Sequence, residues 1–109
     1  TTPVHFQLSL MQGQLFYSMH GQQYYESQQV AVPDDCNGAT FINKGDGDVT
    51  VNGVPLVTSG TAGVGGESFS IGGNLGEIFA GRCTVAFAPG QAAPQLLIIW
   101  KFYVNPNQA

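Results

Sequence analysis

Residues 94–104 read PQLLIIWKFYV, the longest apolar run in the chain and the site of its only tryptophan, Trp100. As a strand, this stretch puts Leu96, Ile98, Trp100, Phe102 and Val104 on one face, because successive side chains alternate sides. Leu97, Ile99, Lys101 and Tyr103 take the other. A sheet with one wet face alternates apolar with polar residues, and this strand nearly fails to do so. The first face reads as the spine of a core. Leu97, Ile99 and Tyr103 read as an assembly interface, covered either by a second layer of the same chain or by a neighbouring subunit.

The rest of the chain supplies partners for such a strand. Val49-Thr50-Val51, Asn52-Gly53 and Val54-Pro55-Leu56 form the pattern of a two-residue hairpin whose turn needs positive φ at both central residues. That register sets Val51 opposite Val54 and Val49 opposite Leu56, all on one side. Pro55 has no N–H to give, so its strand is at an edge or pairs on one side only at that point. Val4, Phe6, Leu8 and Leu10 alternate with His5, Gln7 and Ser9, and a turn over Met11–Gln14 leads into a second strand over Leu15–His20. Further strands are expected at Ala39–Asn43, at Ser68–Ile71 with Phe69 and Ile71 inward, and at Arg82–Ala88 with Cys83, Val85 and Phe87 inward. Thr58–Gly66, TSGTAGVGG, reads as a flexible loop long enough to be a contacting tip.

Helix signals are almost absent, and 15 glycines with 6 prolines interrupt every long stretch. The expected fold is all-β: one domain over residues 1–109, an antiparallel β-sandwich of Ig-like or jelly-roll-like type with about eight short strands.

Composition narrows the function. Charged residues make up 9% of the chain, against roughly 25% in an average soluble domain. Such a surface has little self-repulsion and is free to pack on copies of itself or on a partner. Three cations, Lys44, Arg82 and Lys101, under a net charge of −4 cannot neutralise a phosphate backbone, so direct nucleic-acid binding is not expected. No apolar run reaches the roughly 20 residues of a membrane-spanning helix, and no secretory pattern opens the chain. Its start at Thr1-Thr2 fits a removed leader, loss of an initiator methionine, or trimming.

Two cysteines are too few for a zinc site or a redox CxxC motif. Cys36 and Cys83 either form a disulfide, which would close a long loop and stabilise by roughly 4 kcal/mol, or stay as buried thiols. His5 and His20 lack a third ligand nearby in sequence. Asp46-Gly47-Asp48 has part of a calcium-loop pattern without the remaining oxygens, and Asp34-Asp35 sits among turn formers. No serine lies in a GxSxG elbow, and Glu67 with Glu77 is the only carboxylate pair outside the turns. These readings point to a chain without catalytic, metal or cofactor sites. Tyr24 and Tyr25, flanked by glutamines, are a candidate ligand or partner contact able to stack on a sugar.

The segments FIN, DVTVNGVPL, ESFSIGGNLGEI, CTVAF and LLIIWKFYV between Phe41 and Val104 resemble small all-β bacteriophage virion proteins of the capsid-decoration or head-fibre type. That resemblance implies a structural subunit on a virion or extracellular surface, bound to copies of itself or to a capsid or surface lattice protein. It brings no catalytic residues. The TSGTAGVGG stretch is longer than the corresponding connection in that pattern. The other functions open to such a chain are a carbohydrate-binding module using Tyr24 and Tyr25, and a subunit of a secreted filament or matrix.

Overall fold

The computed structural model describes residues 16–74 and 76–104. The expected strand Val4–Leu10, the turn at Met11–Gln14 and His5 lie outside the described residues. Eight strands and no helix occupy the described part: β1 (Phe16–Tyr24), β2 (Gln28–Ala31), β3 (Gly38–Asn43), β4 (Val49–Val51), β5 (Val54–Leu56), β6 (Ser68–Gly72), β7 (Arg82–Phe87) and β8 (Leu96–Val104). Among them no helix is long and apolar enough to cross a membrane.

The strands form two four-stranded antiparallel sheets, sheet A in the order β1-β8-β3-β6 and sheet B in the order β2-β7-β4-β5. The pairs β1·β8, β2·β7, β3·β6 and β4·β5 are the rungs of one long hairpin. The added pairs β3·β8 and β4·β7 roll that hairpin into two facing sheets. This is the jelly-roll connection, which settles the choice left open between that fold and an Ig-like sandwich.

The core lies between the sheets. Ala39, Phe41, Leu96, Ile98 and Trp100 come from sheet A, and Val30, Val49, Val51, Leu56, Cys83 and Val85 from sheet B. The apolar spine of β8 thus has its partners within the domain. Phe41 connects the layers of aromatic packing. Its ring stacks on Phe69 at 4.8 Å and meets Trp100 edge-on at 6.5 Å.

The Asn52-Gly53 hairpin forms in the expected register, with φ of 50° and 81° at the turn, and Pro55 stands on the edge strand β5. Asn52 also accepts a hydrogen bond from Thr84 N at 2.8 Å, which carries the β4·β7 pairing past the strand end. Val54 departs from expectation. It remains 44% exposed although its cross-strand partner Val51 is buried, because it stands on the edge strand β5 beside the turn.

Three other expectations need correction. The strand expected to end at His20 continues to Tyr24, through a Gly-Gln-Gln run of low strand preference, because β8 pairs with it over nine consecutive residues. Ile71, expected inward, is exposed although its cross-strand partner Ala39 is buried. It stands on an edge strand, where the second sheet no longer covers it. The loop after β5 also does not project as a tip. Gly63 N and Gly66 N donate to Lys44 O and Asn43 O, each at 2.7 Å, folding the loop back onto the end of β3.

Candidate functional site

Sheet A has two faces, and β1 uses them in the opposite sense from its neighbours. On the interior side, Ser18, His20 and Gln22 pair with Phe102, Trp100 and Ile98, yet all three are exposed polar residues. Tyr24, at the end of the strand, packs against the core. On the outer side stand Tyr17, 57% exposed, and Met19, 62% exposed. Two large apolar side chains of β1, Tyr17 and Met19, therefore face away from the core of their own domain.

They face the same way as the outer side of β8. Tyr17 lies beside Tyr103, Met19 beside Lys101, and Gly21 beside Ile99. The rings of Tyr17 and Tyr103 meet edge-to-face with centroids 5.7 Å apart, and Lys101 Nζ stands 5.8 Å from the centre of the Tyr17 ring. At Gly21 the Leu97 side chain lies close, and a Cβ there would meet Leu97 Cδ1 at an ordinary contact distance of 3.6 Å. Leu97, Ile99 and Tyr103 are half-buried, by flanking side chains of the same sheet. Towards β6 the surface turns polar: Thr40, beside Ile99, shares a 2.8 Å hydrogen bond with Ser70. The apolar area is thus centred on β1 and β8, and Lys101 is its only charged group.

The sequence reading does not single out Tyr17 and Met19 as part of this face. The signal was present in the alternation of residues 15–20, but nothing local says which phase of a strand faces the core.

The other candidate residues are dispersed. Tyr24 is half-buried against the core. Tyr25 is on the surface, where its hydroxyl donates to Gln23 Oε1 at 3.1 Å. They do not offer two free rings side by side.

The acids brace loops. Asp46 accepts from Ala92 N and Ala93 N at 3.2 and 3.0 Å, Asp48 from Thr58 N at 3.0 Å, and Glu67 from Val57 N at 2.8 Å. Glu77 closes its own turn on Asn74 N. Among the described residues, no group of three or more His, Cys, Asp or Glu side chains is placed to hold a metal ion. A groove of about 350 Å³ on sheet B is lined by Thr50, Pro55, Val57 and Phe87 together with Asp48, whose carboxylate braces the Thr58 amide.

Cys36 and Cys83 are both free and fully buried. Cys36 Sγ donates to Gly38 O at 3.1 Å. Burial pushes the Cys83 thiol above its ordinary value, and the neighbouring Cys36 adds to the shift. Burial likewise raises the Tyr24 hydroxyl, with a contribution from Cys83, while a hydrogen bond with the Trp100 side chain acts in the opposite direction.

Above the ordinary thiol value of about 8.5 the unfolded chain loses the Cys83 proton while the folded chain keeps it. The folded state then binds more protons, and stability falls as pH rises. Urea midpoints measured upward from neutral pH should decline through this window, and Cys83→Ala should flatten the decline. An unchanged slope in the variant would remove Cys83 as its source.

Comparison of the chain with protein-family models, curated proteins and solved structures finds no match.

Proposed function

We propose that this protein is a non-enzymatic structural subunit that assembles through the outer face of β1 and β8, on a virion or similar surface lattice. One observation carries the reading: β1 turns Tyr17 and Met19 out of its own domain and into line with Leu97, Ile99 and Tyr103. Contiguous apolar surface of this kind marks a contact site on a folded protein. The low charge supports the same conclusion, since the face carries no acid and its single cation rests against Tyr17. The jelly roll is also an architecture of viral capsid domains, an analogy of fold alone, because lectins and cupins share it.

The test separates folding from assembly. Met19→Glu and Ile99→Glu should each leave a folded chain with wild-type far-UV circular dichroism. The Met19 variant should unfold within about 0.5 kcal/mol of wild type, as expected of an exposed position. Both should shift light scattering from an assembled species to a monomer. A wild-type chain that stays monomeric at high concentration and binds no particle would overturn the proposal.

A further inference from the structure

The acids of this chain divide by what their carboxylates do. Asp46, Asp48, Glu67 and Glu77 accept from backbone N–H groups and brace loops. Glu26 stands by itself between β1 and β2. Asp34 and Asp35 are adjacent and exposed, and they line a groove.

Two backbone hydrogen bonds build that groove, from Val32 N to Gly81 O at 3.0 Å and from Phe79 N to Cys36 O at 2.7 Å. They hold the connection from β2 to β3 beside the segment that enters β7. More chain lies between Val32 and Cys36 than between Phe79 and Gly81, so Pro33-Asp34-Asp35 bows away. Asp35 there has a φ of 62°, a left-handed conformation that aspartate tolerates better than most residues. The groove has a volume of about 520 Å³, with Val32, Pro33, Ile78 and Phe79 as its apolar lining. Ile78 is 63% exposed. Arg82, the nearest cation along the chain, is directed along β2 to Gln29 Oε1, 3.3 Å away.

We propose that this groove receives the outer face of β1 and β8 from a second copy of the chain, so that copies join head to tail. The proposal rests on the assembly reading above and names the partner. Charge complementarity carries it. The face sets Tyr17, Met19, Leu97 and Ile99 around one cation, Lys101. The groove sets apolar side chains beside two carboxylates, so each surface supplies the charge that the other lacks. Two copies of the face make a poorer match. Lys101 lies within that face beside Met19, and a two-fold pairing would bring two lysines together with no carboxylate between them. The groove on sheet B is no substitute, because its acid Asp48 is already held by Thr58 N. Face and groove share no residue, so the contact is heterologous, and the copies close into a ring or continue as a filament.

Complementation between variants of the whole chain tests this arrangement. Asp34→Lys combined with Ile78→Lys spoils the groove and leaves the face intact, whereas Met19→Glu does the reverse. All three positions are exposed, so far-UV circular dichroism and Trp100 fluorescence should match wild type. Each variant alone should scatter light as a monomer. An equal mixture should give a one-to-one dimer and nothing larger, since one sound face meets one sound groove and the two remaining surfaces are spoiled. Lys101→Gln should weaken wild-type assembly by about tenfold, the loss of one charge pair across an interface. A groove variant that assembles like wild type while Met19→Glu stays monomeric would overturn the head-to-tail contact and keep the assembly reading. A mixture that stays monomeric, or unchanged assembly of Lys101→Gln, would also overturn the contact. Wild-type scattering from both variants would sink the contact and the reading together.

Discussion

Trp100→Ala should destabilise the domain by about 3–5 kcal/mol, the usual cost of deleting a large buried aromatic. Trp100 is 1% exposed and lies in the middle of sheet A, between β1 and β3. Its removal deprives Phe41 of its edge contact and opens a void where β8 crosses the core. Domains of this kind have a net stability of only about 5–15 kcal/mol. The variant should therefore unfold at much lower urea, or be partly unfolded without it. Because the substitution removes the only tryptophan, far-UV circular dichroism should follow the transition. Leu97→Ala, on the opposite face of the same strand, should cost clearly less. Equal losses at the two positions would mean that both faces of β8 are core.

Asn43→Leu should cost about 3 kcal/mol, although it puts an apolar side chain of similar size into a buried position. Asn43 is fully buried at the end of β3, and all its polar atoms are used. Nδ2 donates to Gly47 O and Leu56 O, both at 2.9 Å, and Oδ1 accepts from Gly45 N at 2.9 Å. One side chain thus closes the 44–47 turn and fastens it to β5 in the other sheet. Leucine would leave two carbonyls and one N–H without partners, each costing about 1–3 kcal/mol when buried, with partial relief by relaxation. Asn43→Asp should not rescue, since a carboxylate can accept from Gly45 N but faces two carbonyls with nothing to donate. A urea midpoint for Asn43→Asp close to wild type would show that the two donated bonds contribute little.

Much of the architecture is legible in local pattern. The two faces of β8, the inward set on β7, and the Asn52-Gly53 hairpin depend on alternation and on a turn that few residues can make. These are properties of short segments, and the structure reproduces them. Asn43 was not legible: as a sequence feature it is one more polar residue at a strand end. Its role exists only because Gly45, Gly47 and Leu56 converge on it. The same holds for Asp46 and Asp48, which read locally as turn formers. The partners of Asp46, Ala92 and Ala93, lie far along the chain, and that of Asp48, Thr58, lies beyond the β4–β5 hairpin.

The stretch from Pro94 to Val104 marks the boundary between the two kinds of knowledge. Its sequence alone determined a strand with one wholly apolar face and a second face too apolar to be left to water. It could not determine what lies on either side, because alternation is identical in an Ig-like sandwich and a jelly roll. Only long-range pairing distinguishes them. The tertiary structure decided that β1 and β3 flank this strand and that sheet B covers Leu96, Ile98 and Trp100. It also showed that Tyr17 and Met19 join Leu97, Ile99 and Tyr103 on the outside. The physical reason is that period-two alternation specifies two faces without naming them, and only the placement of the second sheet makes one of them the interior.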